Sequence, residues 1–216
     1  QRGITTQSSN RLITSGSQQA LDLLFRALSD EGDIFVVERP TYLATLQILS
    51  LTGGQVKSVG SDAQGMIVDE LETLLKTTKI KGVYLVPTFG NPSGTTLSAE
   101  RRQKLVKLAV QYDFVIIEDD PYGAISFTDQ REKTLLQVAT EQGASEHVVY
   151  TSTFSKILAP GLRVGWVVLP EWMKQNVAII KQATDLHANS FAQALTASYL
   201  SLNRLDNQVE TIRTAY

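Results

Sequence analysis

Short apolar runs alternate along the chain with longer segments whose apolar residues recur at helical spacing. The runs are continuously apolar, as expected for strands buried on both faces of a parallel sheet. They predict five strands, at residues 33–38, 82–87, 114–118, 147–152 and 164–169. The helical segments lie at about residues 18–29, 42–52, 68–78, 98–112, 171–187 and 191–214. This alternation predicts an α/β fold with a mostly parallel sheet flanked by helices.

The composition fits one globular domain. The chain has 216 residues, of which 43% are hydrophobic and 19% charged, and it contains no internal repeat and no linker. This predicts a single domain over residues 1–216. The net charge is -2 and the chain has no run of basic residues, so nothing in the sequence indicates a surface that binds nucleic acid or an anionic membrane. No apolar run reaches the ~18 residues that a membrane span needs.

The cysteine and histidine content limits which nucleophiles, cross-links and metal ligands the chain can supply. The chain has no cysteine, which excludes disulfides, thiol nucleophiles and thiolate metal ligands. Its two histidines, His147 and His187, lie far apart in sequence, which argues against a histidine-rich metal site. We therefore expect no metal. We expect a cytoplasmic location, with which the absence of cysteine is compatible.

Polar residues follow the ends of several predicted strands, and in open α/β sheets ligands bind outside the carboxyl ends of the strands. Five such loops are predicted to converge on one crevice, at residues 15–18, 40–42, 91–94, 119–122 and 153–156.

The first loop, within "TSGSQQALDLL", is a turn of small residues that leads into a helix near Gln18. Unpaired N–H groups and the positive end of a helix dipole make such a turn a seat for phosphate. The alternative is an ordinary helix cap by Ser15 or Ser17. No P-loop and no dinucleotide fingerprint accompanies it.

The second and third loops offer an aromatic ring and an amide. Tyr42 follows Pro40 at the start of a helix, where its ring either stacks on a planar ligand or packs into the core. Asn91, in the turn "NPSG", either caps that turn or donates to a ligand oxygen.

The fourth loop carries three consecutive carboxylates, Glu118, Asp119 and Asp120, with Tyr122 close behind. Clustered carboxylates at a strand end suit a divalent metal or a cationic nitrogen. A solvated turn with one capping carboxylate is the alternative.

The fifth loop, "STFSKILAPGLRVG", holds Lys156 and Arg163 in an otherwise uncharged stretch. In a partly dry crevice the pKa of a lysine falls, and its amine becomes a nucleophile that forms a Schiff base. Arg163 offers a fork for a phosphate, and Thr153 and Ser155 add hydroxyl donors. A turn at residues 160–161 would bring Arg163 back beside the lysine.

These parts together describe one ligand, pyridoxal 5'-phosphate. The sequence resembles the fold-type I pyridoxal-phosphate enzymes of aminotransferase class I/II, and most of all the branch that contains 2-aminoadipate aminotransferases and the aminotransferase-like domains of MocR-type regulators. The matching stretches span nearly all of residues 10–190: "ITSGSQQALDLL", "ERPTYLATLQ", "NPSGTTLS", "EDDPYG" and "TFSKILAPGLRVGW". The resemblance implies the large domain of that fold, with a seven-stranded, mostly parallel sheet.

The resemblance also implies a role for each candidate residue. Lys156 would form the Schiff base and then move a proton between the substrate's α-carbon and the cofactor's C4'. Asp119 would pair with the protonated pyridine nitrogen. Tyr122 and Asn91 would hydrogen-bond the 3'-oxygen of the ring, and Tyr42 would stack on its face.

The phosphate, in the same family pattern, would be held by Ser17, the backbone of Gln18, Thr153 or Ser155, and Arg163. Glu118 and Asp120 would support these residues rather than contact the pyridine nitrogen.

The resemblance predicts an aminotransferase that moves an amino group between an amino acid and a 2-oxo acid, as a homodimer. The alternative is the cofactor-binding effector domain of a MocR-type transcription regulator, which would carry a helix-turn-helix domain before Gln1. We expect a fragment that is incomplete for catalysis, in which residues 191–216 form the helix leading to a C-terminal small domain. The sequence does not name the amino donor.

Overall fold

The computed structural model describes residues 2–127 and 131–215. Over these residues the strands are β1 (Arg11–Thr14), β2 (Ile34–Arg39), β3 (Gln55–Asp62), β4 (Gly65–Met66), β5 (Gly82–Leu85), β6 (Val115–Asp119), β7 (Val148–Thr153) and β8 (Gly165–Val168). The α-helices are α1 (Ser17–Leu28), α2 (Leu43–Leu51), α3 (Val68–Leu75), α4 (Ala99–Tyr112), α5 (Leu135–Glu141), α6 (Lys174–Asp185), α7 (Ser190–Ser201) and α8 (Leu205–Ala215).

All the described strands form one sheet in the order β1-β8-β7-β6-β5-β2-β3-β4. The pairs from β7 through β6, β5 and β2 to β3 are parallel. β8 runs antiparallel to both β1 and β7, and the two-residue β4 forms an antiparallel pair with β3. The predicted α/β fold with a mostly parallel sheet is confirmed. The sheet has eight strands rather than the predicted seven, because β4 adds a short strand beyond β3.

The five predicted strands are all present, and β1, β3 and β4 were missed. β3 was not predicted because its first four residues are exposed and form no apolar run. The strand lies near the edge of the sheet, where no apolar run is required. β1 has only four residues, of which Thr14 alone is buried.

The predicted helix at residues 191–214 is two helices. α7 ends at Ser201 and α8 begins at Leu205, and between them Asn203 has a φ of 53°. A left-handed residue breaks the helical hydrogen-bond pattern, so the chain turns at this point. Tyr216, the last residue of the predicted 191–216 segment, lies outside the described residues.

Hydrophobic clusters cover the two faces of the sheet. One contains residues of α3, α4 and α5, and the other contains residues of α1, α2 and α6. With both faces covered, the central strands are continuously buried, which explains their apolar runs. The carboxyl ends of β2, β5, β6 and β7 reach the same edge of the sheet, and the site lies there.

Within the part of the chain that the structure describes, no helix is long and apolar enough to cross a membrane.

Candidate active site

One cavity of about 180 Å³ lies at the carboxyl ends of the parallel strands. All ten predicted site residues line it, and the structure adds two more. The lining residues are Ser17, Gln18, Tyr42, Val86, Asn91, Asp119, Pro121, Tyr122, Thr153, Ser155, Lys156 and Arg163. Because these residues come from five loops, the convergence predicted from strand ends is found in the fold.

Asp119 ends β6 and is only 3% exposed. Its Oδ2 accepts a hydrogen bond from the hydroxyl of Tyr84 at 3.0 Å, whereas its Oδ1 is buried and has no hydrogen-bond partner within residues 2–127 and 131–215. Burial raises the pKa of Asp119 to about 7; the Tyr84 hydrogen bond lowers it, and the nearby Asp120 raises it. A buried carboxylate oxygen without a donor is costly, so Oδ1 is suited to accept from a ligand.

The other two carboxylates of the loop bind protein groups. Glu118 accepts from the backbone N–H groups of Leu135 and Leu136, at 2.8 and 3.0 Å, and so caps the start of α5. Asp120 accepts from the hydroxyl of Tyr150 at 2.9 Å and from Nε of Arg2 at 2.8 Å. Both carboxylates therefore bind protein groups, and the supporting roles expected for them stay a prediction.

No group of three metal-ligating side chains lies together in the described parts of the chain. The three consecutive carboxylates at 118–120 are therefore not such a group.

The turn before α1 packs against the Arg163 side chain. Gly16 precedes the helix with a φ of 82°, and neither Ser15 nor Ser17 caps it, since the N-cap residue is Gly16 itself. The helix cap expected as the alternative for this turn is therefore absent. The guanidinium of Arg163 donates to the backbone oxygen of Ser15 and to Oγ of Ser155, both at 3.2 Å.

Two glycines make this close approach possible. A Cβ on Gly16 would collide with the guanidinium of Arg163, and a Cβ on Gly165 would lie 2.6 Å from the carbonyl carbon of Gly16. The site thus combines a helix N-terminus, hydroxyl groups and a guanidinium, which is a donor set for phosphate.

Lys156 lies in the turn after β7, opposite Tyr122. Its Nζ is 5.9 Å from the centroid of the Tyr122 ring. Its side chain is exposed, in contrast to the partly dry crevice expected from the sequence. A 3₁₀ turn at Pro160–Leu162 then brings Arg163 back to the same cavity, as the Pro-Gly pair predicts.

Tyr42 and Gln18 close another side of the cavity. The hydroxyl of Tyr42 donates to Oε1 of Gln18 at 3.2 Å, which links the start of α2 to the first turn of α1. The Tyr42 ring is partly buried and also packs against the hydrophobic cluster beneath α1 and α2. Its position therefore combines features of the stacking and core alternatives.

Sequence reasoning missed two residues that hold the site. Tyr84 contacts Asp119, and its signal was a phenol in an otherwise apolar strand, since a buried hydroxyl needs a partner. Gln19 accepts from the backbone N–H of Ser15 at 2.7 Å and donates to Asp185 at 2.8 Å. Nothing in the local sequence signals Gln19, because its carboxylate partner lies on α6.

The family model described as aminotransferase class I and II matches residues 1–216. The chain belongs to this family.

Among its relatives is the aromatic-amino-acid aminotransferase 1 of Thermococcus litoralis, 42% identical over 95% of this chain and 49% of the relative. The kynurenine aminotransferase of Pyrococcus horikoshii superimposes with a TM-score of 0.91 at 42% identity, over 99% of this chain and 53% of that one. The α-aminoadipate aminotransferase of Thermus thermophilus, solved with N-(5'-phosphopyridoxyl)-L-leucine, gives a TM-score of 0.92 at 34% identity, over 96% of this chain and 53% of that one.

The same family domain also occurs in regulators. The HTH-type transcriptional regulator YcxD of Bacillus subtilis is 35% identical over 94% of this chain and 45% of the regulator. The chain spans about half the length of the relatives that it matches.

Proposed function

We propose that the chain is the large, cofactor-binding domain of an aminotransferase that uses pyridoxal 5'-phosphate. The observation that carries this proposal is the buried Oδ1 of Asp119, which has no donor in the described part of the chain and belongs to the cavity that Lys156 also lines. A carboxylate acceptor and an amine on one cavity suit a ligand with a protonated ring nitrogen and an aldehyde.

The residues present fit that cofactor at its phosphate as well. Gly16 leaves room for the guanidinium of Arg163, which lies beside the first turn of α1. Ser17, the backbone of Gln18, Thr153 and Ser155 would complete the phosphate site. The set supplies both charge and hydrogen-bond donors for a dianion.

Each remaining side chain would bind or orient part of the ring. Asp119 would accept from the ring nitrogen, Tyr122 and Asn91 would donate to the 3'-oxygen, and Tyr42 would cover one face. The amine of Lys156 would bind the aldehyde carbon, and when released would carry a proton to and from the substrate's α-carbon. When bound, pyridoxal phosphate supplies a ring that withdraws electrons from the bond that breaks.

The substrates that fit this chemistry are a 2-oxo acid and an amino acid, the latter being the class that the two relatives' names indicate. We further propose a homodimer. Large apolar side chains stay exposed along α6 and α7, among them Ile179, Phe191 and Leu195, which supports an interface there. A cytoplasmic location is compatible with the absence of cysteine.

The regulator relatives make an effector domain the second candidate. An absorbance titration of the full-length protein with pyridoxal phosphate separates the two. A visible cofactor band that bleaches with one amino acid from a panel of aromatic, acidic and aliphatic donors, and returns with a 2-oxo acid, supports the aminotransferase. A stable band that no amino acid bleaches supports the effector domain, and the absence of any band contradicts both.

A further inference from the structure

Tyr84 occupies the centre of the sheet, on β5 between β2 and β6. Its side chain is fully buried, and its ring packs among the apolar residues beneath α1, with the Phe25 ring centroid 6.3 Å away. A phenylalanine would fill this space equally well. What distinguishes the tyrosine is its hydroxyl, which donates to Oδ2 of Asp119 at 3.0 Å.

Because of this hydrogen bond, the two carboxylate oxygens of Asp119 differ in their surroundings. Oδ2 is held by Tyr84, whereas Oδ1 is buried without a hydrogen-bond partner among the described residues and belongs to a residue that lines the cavity. A rotation that moves the plane of the carboxylate away from this arrangement would lose the Tyr84 hydrogen bond. The orientation of the carboxylate is therefore fixed before any ligand arrives, which lowers the entropic cost of binding.

We propose that Tyr84 is a positioning residue that holds Oδ2 of Asp119 and so keeps its Oδ1 directed at the cofactor's ring nitrogen. Tyr84 acts through Asp119 and touches no part of the cavity itself. The proposal rests on the proposed function for the identity of the group that Oδ1 would contact.

Charge supports the same conclusion. Burial and the neighbouring Asp120 both raise the pKa of Asp119, and the Tyr84 hydrogen bond opposes them because it stabilises the ionised form. Among the described residues, the other charged groups that line the cavity are Lys156 and Arg163, on the loop after β7. Burial raises the pKa of Tyr84 well above its ordinary value, so Tyr84 stays a donor across the physiological range.

The test compares Tyr84→Phe with the matched control Tyr150→Phe. Tyr150 is also buried, at 1% exposure, and its hydroxyl also donates to a carboxylate, but to Asp120 rather than Asp119. Each variant loses one buried hydroxyl–carboxylate hydrogen bond. A general effect on stability would appear in both, whereas an effect on Asp119 would appear only in Tyr84→Phe.

The first measurement needs no cofactor. In the full-length protein, ¹³C NMR of labelled aspartate follows the titration of the Asp119 carboxyl, assigned with Asp119→Asn. We expect Tyr84→Phe to move its midpoint up by about one pH unit, the shift expected from losing a hydrogen bond to the charged form. Tyr150→Phe should leave that midpoint in place. An unchanged midpoint in Tyr84→Phe overturns the proposal.

The second measurement identifies the contacted atom. Pyridoxal phosphate should bind Tyr84→Phe roughly tenfold more weakly than wild type. With 1-deazapyridoxal phosphate, which has a C–H in place of the ring nitrogen, wild type and variant should bind equally. A defect that persists with the deaza analogue means that Tyr84 does not act through the ring nitrogen. If wild type binds neither compound, the proposed function itself fails, whatever the NMR titration shows.

Discussion

The guanidinium of Arg163 occupies the space that a side chain at position 16 would need. Gly16 has a φ of 82°, and a Cβ built on it would collide with Arg163, whose guanidinium donates to the backbone oxygen of Ser15. The absence of a side chain at Gly16 is thus what allows a cation to lie beside the N-terminus of α1.

Gly16→Ala should therefore weaken phosphate binding by displacing Arg163. We expect the affinity for pyridoxal phosphate to fall roughly tenfold or more, as for loss of one charge-assisted contact. Gly32→Ala is the matched control, since Gly32 has a φ of 85° and nothing within 4 Å of its Cβ position. Both variants should lose about 1 kcal/mol of stability from backbone strain. Equal affinities in the two variants would contradict this role for Gly16.

Lys156→Ala should remove the covalent attachment of the cofactor. After borohydride reduction with pyridoxal phosphate, intact-mass measurement should show one phosphopyridoxyl group on the wild type and none on the variant, because no other amine lines the cavity among the described residues. Lys107→Ala, on the exposed face of α4, should label like the wild type. Full labelling of Lys156→Ala would refute the assignment of this lysine.

Asp185 links α6 to the turn before α1 through Gln19. Its carboxylate binds the ammonium of Lys181 at 2.7 Å and accepts from Gln19, whose Oε1 in turn holds the N–H of Ser15. Burial raises the pKa of Asp185, but the hydrogen bonds from Lys181 and Gln19 bring it below its ordinary value. Lys181 is only 5% exposed, so its buried ammonium is stabilised by this counter-charge.

Asp185→Asn should consequently destabilise the fold by about 2 kcal/mol, because it leaves a buried ammonium without its counter-charge while Asp185 itself is partly exposed. Adding Lys181→Met should restore part of the loss. Glu171→Gln, which breaks the exposed pair with Lys174, should cost less than about 1 kcal/mol. Urea denaturation measures all three, and equal losses in Asp185→Asn and Glu171→Gln would disprove the special role of Asp185.

The sequence predicts the central sheet and the converging loops because both follow from local patterns. Strands such as β6 are buried on both faces, so their residues are apolar up to the carboxyl end of the strand, where Glu118 and Asp119 follow. Parallel strands then bring their carboxyl ends to one edge. No comparable pattern marks β3, whose outer half is exposed, or α5, which is seven residues long.

The contacts that tune the site could not be predicted from the sequence, for a different reason. Tyr84 and Asp119 lie 35 positions apart, and Gln19 and Asp185 lie 166 apart. Whether such side chains meet depends on the register of neighbouring strands and on how the helices pack against the sheet. A buried phenol or amide signals that a partner exists, but only the fold identifies it.

Glu38, at the end of β2, is a buried carboxylate outside the cavity. It is 7% exposed, and its Oε2 accepts a long hydrogen bond of 3.4 Å from the backbone N–H of Val86. Burial raises the pKa of Glu38 from 4.5 to about 7, against the smaller opposing effects of its backbone donors and Arg102. Burial is also the main reason why the pKa of Asp119 is raised to about 7.

The cofactor-free protein should therefore lose stability as the pH rises from about 5 to about 8. A group whose pKa is raised by folding stabilises the fold fully below its unfolded pKa, and that contribution is lost as the pH passes the folded pKa near 7. For Glu38 the loss is on the order of 3 kcal/mol. Urea denaturation of the full chain should show a smaller slope for Glu38→Gln, while Glu31→Gln, at an exposed turn, keeps the wild-type slope. If Glu38→Gln loses stability with pH as steeply as the wild type, Glu38 is ionised throughout this range.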